Sequence, residues 1–166
     1  NLPTHGHGQG YMDVNFVIPE LVERVVYRKG TYYDDLGNFS AAGAAELSYA
    51  ETLQPFVALT GGGQGYRRAV AGGSFELAQG ELLLGAEWDG TDGPWELPED
   101  LRKTNAAARW SRRTGDSSLA VDLMGYSSDW RATDQIPARA VEDGSLDRFG
   151  FIDPSNGGET HRYSLS

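Results

Sequence analysis

The residues of this chain whose types and spacing bear on chemistry are few, and the first of them come early. His5-Gly6-His7 with Gln9 sets two imidazoles two positions apart in a glycine-rich stretch. A metal ion needs a third ligand and a hydrogen-bonded shell that orients the rings; the neighbouring sequence offers neither, so no metal site is assigned. Gly61-Gly62-Gly63-Gln64-Gly65 has the glycine density of a phosphate-cradling loop. It lacks the Lys-Ser/Thr pair and precedes a strand-like run rather than a helix, which leaves a hairpin turn. Asp89-Gly90-Thr91-Asp92-Gly93 and Glu142-Asp143-Gly144 offer carboxylates without the ligand spacing of a calcium loop, and solvated turns explain them. Trp95 and Trp130, with Arg131 and Arg139, have the chemistry to stack on and clamp a polar ligand, and equally the bulk to pack loops together. Ser, His and Asp are plentiful, but Gly-x-Ser-x-Gly and His-Glu-x-x-His are both absent. No catalytic residue and no cofactor is assigned, and the chain is expected not to be an enzyme.

The elements that would position these residues are bounded by composition. With 166 residues the chain has the length of one ordinary domain, and 39% hydrophobic with 11% aromatic residues is too rich for disorder. No apolar run is long enough for a membrane-spanning helix. The 14 basic against 24 acidic residues leave a net charge of -10, which repels a phosphate backbone, so nucleic acid is not an expected partner. There is no cysteine, hence no disulfide or thiolate chemistry. The opening at Asn1 and the alternating Arg162-Tyr163-Ser164-Leu165-Ser166 end give the expectation of a piece of a longer protein.

Residues 1–50 read as irregular α+β structure: a polar loop from Asn1 to Tyr11, a short helix from Pro19 to Val22, a strand from Val22 to Arg28, then small residues punctuated by Gly30, Gly37 and Gly43. From Glu51 the pattern becomes strands, expected at Gln54–Thr60, Tyr66–Leu77, Glu81–Asp89, Thr104–Arg113, Ser118–Trp130 and Thr160–Ser166. Their connections are short at Ala78-Gln79-Gly80 and Thr114 to Ser117, and long at Gly90 to Lys103 and Arg131 to Glu159. Short turns at one end and long loops at the other, with strands near the ~9 to 11 residues that cross a bilayer, are the pattern of an outer-membrane β-barrel. Leu82, Leu84, Ala86 and Trp88 fall on one face of their strand, while Glu81, Gly85, Glu87 and Asp89 share the other with Leu83. In Ser118–Trp130 the pattern is ambiguous, because Asp122 shares parity with Tyr126 and Trp130. A soluble antiparallel sandwich, such as a carbohydrate-binding module, gives the same alternation and stays open as the alternative.

The stretch Glu20-Leu21-Val22-Glu23-Arg24-Val25-Val26-Tyr27-Arg28-Lys29-Gly30, followed by Tyr33, Gly37, Ala42-Gly43 and Ala44, resembles the end of the plug domain of TonB-dependent outer-membrane receptors. That family carries I-E-R-V-E-V-x-R-G, then Y-G, then G-G-x-I-N-I leading into the barrel. Here Lys29 intrudes before the Gly, Leu36 stands in place of the Tyr before Gly37, and Ala42-Gly43 replaces the double Gly. The resemblance implies a mainly β fold: residues 1–50 would be the C-terminal part of an α+β plug, and residues 51–166 the N-terminal strands of an incomplete transmembrane antiparallel β-barrel. It implies about six of the roughly 22 strands of such a barrel. It also implies location in a Gram-negative outer membrane, contact with its lipid, and import of a scarce nutrient energised by a TonB complex through a segment ahead of Asn1. The cargo would be a small molecule or metal chelate of siderophore, cobalamin or carbohydrate class. His5, His7, Gln9 and Tyr11 would lie at the plug apex and touch substrate with the loop residues Trp95 and Trp130. Arg28 would make the plug-barrel contact, with Glu76 or Glu87 as partner, an exposed arginine being the alternative.

Overall fold

The computed structural model of the protein describes residues 14–36, 42–132 and 135–166. Among them 56% lie in strands and 8% in helices, so the fold is mainly β with antiparallel pairing. Strand β1 (Val22–Lys29) pairs with β2 (Gly43–Tyr49) in a two-stranded sheet. The β-branched run Val22 to Val26 makes β1 legible; β2 was not anticipated. A 3₁₀ turn at Pro19–Leu21, with proline where its missing N–H costs nothing, leads into β1. A second 3₁₀ turn covers Asp34–Leu36. Gly43 has φ +124°, and a Cβ there would strike the Arg28 carbonyl, so only glycine lets β2 start against the end of β1.

The larger sheet is a six-stranded meander in chain order: β3 (Phe56–Gly61), β4 (Arg67–Leu77), β5 (Gly80–Thr91), β6 (Leu101–Thr114), β7 (Ser117–Arg131) and β8 (Gly157–Leu165). Each expected strand is found, most of them longer by a few residues. The β4–β5 and β6–β7 connections are tight, because Leu77 pairs with Gly80 and Thr114 with Ser117. The connections 62–66, 92–100 and 132–156 lie at the opposite end, and the last carries the five-residue helix α1 (Ala138–Glu142). The sheet is open and not a closed barrel: β3 and β8 form its edges and do not pair with each other.

One face of this sheet is covered and the other bare. On the covered face Val70, Leu83 and Ala107 meet Ile18 and Leu21 from the segment ahead of β1, with Tyr49, Leu53 and Phe56 packed around them. Leu21 enters a hollow made by missing side chains. Gly72 and Gly85 are register partners, and a Cβ on either would crowd the Leu21 methyls. Complete burial of such a leucine contributes roughly 1.5–3 kcal/mol. Backbone bonds hold the edges of this junction: Ala50 N–H donates to the Leu21 carbonyl at 2.9 Å and Ser74 N–H to the Leu53 carbonyl at 2.9 Å. The ambiguous strand resolves here too, since Asp122 faces the covered side and pairs with Arg109 at 2.9 Å.

Candidate functional site

Charged side chains converge where the amino-terminal segment meets the covered face. Alternate strand positions share a face, so Arg68 of β4, Glu87 and Asp89 of β5, and Lys103 and Asn105 of β6 all point the same way, and the register sets them side by side. The Arg68 guanidinium grips Glu20 with both terminal nitrogens, Nη1 to Oε1 at 2.6 Å and Nη2 to Oε2 at 2.8 Å. Its Nε donates to Glu87 Oε1 at 2.6 Å. Asn105 Nδ2 donates to Glu87 Oε2 at 2.6 Å and to the Asn15 carbonyl at 2.8 Å, while Lys103 Nζ stands 3.6 Å from Glu87 and 3.9 Å from Asp89. Arg162, further along the same face, lies over the Phe16 ring at 4.4 Å.

The electrostatics follow burial. The Glu87 side chain is 2% exposed, so its charge is tolerable only because two cations and an amide donor meet it. Glu20 is more open, and the Arg68 hydrogen bonds hold its carboxyl below the usual glutamate range against the opposing effect of desolvation. The cluster is an ionic tie between two parts of the chain. It presents no nucleophile with a base beside it, and among the described residues no group of three metal-ligating side chains occurs.

The structure redistributes the residues singled out from sequence. His5, His7, Gln9 and Tyr11 lie outside the described residues. Arg28 does not reach Glu76 or Glu87: it pairs with Asp35 at 2.7 Å and Glu46 at 3.2 Å and stands 5.4 Å from the centre of the Tyr33 ring. The reason is reach, because β1 carries Arg28 roughly 20 Å along the strand from the docked Leu21. Asp35, hydrogen-bonded to it, raises the Arg28 pKa above the usual arginine value. Glu20, at the docked end, makes an ionic contact to the larger sheet through Arg68. Trp95 packs edge-on against Phe149 with ring centres 5.9 Å apart and donates from Nε1 to Glu99 at 2.7 Å. Trp130 lies against Gly158, where a Cβ would come 2.5 Å from the indole. Both tryptophans are thus engaged with protein, and Trp95 ties two long loops together. The parity of Glu87 and Asp89 was visible in the sequence, whereas the tie of Arg68 to Glu20 was not, because those two residues are 48 apart.

The bare face carries the opposite chemistry. Val57 and Leu59, Phe75, Leu84, Trp88, Leu123 and Tyr163 all lie on it and are exposed, from 39% at Leu84 to 80% at Leu59. Trp88 stands toward the long-loop end and Trp110 toward the tight-turn end, where its Nε1 donates to the Leu77 carbonyl at 2.9 Å. No helix among the described residues is long and apolar enough to cross a membrane. Comparison of the chain with protein-family models, curated proteins and solved structures finds no match in any of the three.

Proposed function

We propose that this chain is the part of a TonB-dependent outer-membrane receptor in which the plug ends and the barrel begins, and that it serves the import of a scarce small molecule or metal chelate without covalent chemistry. One observation carries the proposal: the covered face buries charged and amide groups beside a small apolar core, while the bare face is apolar and exposed. Glu87, Asp89 and Asn105 are buried on one face while leucines, a tryptophan and a phenylalanine stand exposed on the other. In a barrel wall those two faces are the plug-facing lumen and the lipid. The tie from Glu20 to Arg68 and Glu87 fits this assignment, since it fastens a plug-end segment to the wall by charge and two apolar side chains, Ile18 and Leu21. The resemblance of residues 20–30 supplies the family and the cargo classes, and the TonB complex would act through a part of the plug ahead of this chain.

The decisive measurement is tryptophan fluorescence in vesicles of phosphatidylcholine brominated on its acyl chains. Variants retaining only Trp88, only Trp110 or only Trp95, with the other tryptophans changed to Phe, should show strong quenching at Trp88 and Trp110 and little at Trp95. Absence of quenching at all three would remove the membrane assignment. It would favour a soluble sandwich of the carbohydrate-binding kind, in which a second sheet covers the bare face.

A further inference from the structure

Beyond the apolar part of the bare face the row of residues nearest the long loops changes character. Arg67 of β4 and Arg102 of β6 are both register partners of Gly90 on β5, so they stand on the bare face on either side of a position with no side chain. Two strand spacings separate their backbones, about 10 Å, and the row lies about 7 Å along the strand beyond Trp88. The Trp88 indole lies against Gly90, its Cζ2 3.5 Å from where a Cβ would stand, and so occupies the floor between the two arginines. A hollow of about 390 Å³ opens there, lined by Arg67, Trp88, Gly90, Asp92, Asp100 and Arg102.

The charges around it are unequally committed. Asp100 is held by Arg131 at 2.9 Å, whereas the Asp92 carboxylate lies over Gly65 and, among the described residues, has no cation within ion-pairing distance. Asp129 continues the row beyond Arg102, on the side away from Gly90. Among the described residues neither Arg67 nor Arg102 has a carboxylate within ion-pairing distance, and both are exposed. Two guanidinium groups without a salt-bridge partner, on either side of an aromatic floor, have the chemistry for a planar-fork grip on an oxyanion. Their place on the sheet says which kind. An arginine just past an interfacial tryptophan stands at the depth of lipid head groups, with the apolar face directly below to take the chains.

We propose that Arg67, Trp88 and Arg102 form a site for the phosphate-bearing head group of a membrane lipid in the leaflet that meets the long-loop end. The arginines bind the phosphate oxygens, the indole takes the glycerol or sugar portion, and Asp92 is placed to accept from a hydroxyl. This rests on the membrane assignment of the bare face and adds a specificity which that assignment does not contain.

The test uses the chain inserted from detergent into vesicles of phosphatidylcholine, with and without phosphatidic acid, whose phosphate monoester is the probe. Trp88 fluorescence and co-flotation report binding. The expected result is preferential binding to vesicles containing phosphatidic acid, lost roughly tenfold or more in the R67Q/R102Q variant, with insertion into pure phosphatidylcholine unchanged. Both positions are exposed, and circular dichroism of the variant checks that its strands are intact. Equal binding of the variant and the parent chain to phosphatidic acid vesicles would overturn the site. Displacement by millimolar inorganic phosphate or glycerol phosphate would overturn the lipid as its occupant and leave a soluble phosphate compound. Insertion into phosphatidylcholine without any preference sinks this proposal alone, whereas failure to insert into either vesicle sinks the membrane assignment with it.

Discussion

Glu87 is the residue on which the junction turns, because its carboxylate is almost out of contact with water and depends on Arg68, Asn105 and Lys103. Removing one partner of such a pair costs more than the pair contributes. Arg68→Met should therefore lower unfolding stability in detergent by about 3 kcal/mol, while the double change Arg68→Met with Glu87→Met should recover most of that loss. A double-mutant cycle by urea denaturation checks both. Glu20→Gln, at the more exposed end of the same network, should cost under about 1 kcal/mol. Acid acts through the same group. The Glu20 pKa is lower in the folded chain than its ordinary value, so its contribution is complete above about pH 4.3 and is lost as the pH falls through the depressed folded value. Limited proteolysis across residues 50–55 should quicken over that acidic window in the parent chain and show a weaker pH dependence in Glu20→Gln. At this scale the sequence told which side of β5 carries charge, through the parity of Glu87 and Asp89. It did not tell which cation meets them, since Arg28 and Arg68 are equivalent by composition and only the strand pairing separates them, β4 lying beside β5 while β1 pairs with β2.

Among the elements, the tight turns carry an unusual choice. Ala78 and Gln79 both have positive φ, 52° and 62°, in a two-residue connection that prefers Asn-Gly. Left-handed backbone is costly for alanine, so Ala78→Asn with Gln79→Gly should stabilise the β4–β5 hairpin by about 0.5–1 kcal/mol, read as a higher urea midpoint at unchanged slope. Neighbouring positions on β5 should respond in opposite fashions. If the bare face meets lipid, Leu84→Arg places a charge in it and should block membrane assembly at a cost of roughly 2–4 kcal/mol. Gly85→Val, on the covered face, should leave the sheet intact yet expel Leu21, detected as faster cleavage between β2 and β3. Equal assembly defects in the two variants would show that the faces are not distinct solvents. The strands of the larger sheet were legible from their strand-length runs and the turn residues between them, with clear alternation in strands such as β5. Strand β2 was not, because Ala44 and Ala45 carry little strand propensity and its pairing with β1 supplies what they lack. Helix α1 has too few residues for a 3.6-residue period to show.

At the scale of the whole molecule the polarity of the sheet sets an orientation. If the chain belongs to a receptor in an outer membrane, the long loops should face outward: cysteines placed at Asp92 and Asp143 of such a receptor should react with an impermeant maleimide on intact cells, and one at Gly115 only after permeabilisation. The reverse pattern would invert the orientation. The loops offered for labelling are partly self-supporting, since Glu96 N–H donates to the Phe149 carbonyl at 3.1 Å and Arg131 N–H to Glu99 at 2.7 Å. The hollow over Gly72 and Gly85 has a consequence of another kind. A one-residue slip between β4 and β5 turns every side chain of one strand to the opposite face, and a two-residue slip brings Gly72 opposite Leu83 or Glu87 instead of Gly85. Either error puts a side chain where Leu21 must enter. The leucine thus acts as a gauge for the hairpin: it seats only on strands that have zipped in the right register, and a mis-zipped pair is left uncapped and free to come apart and try again.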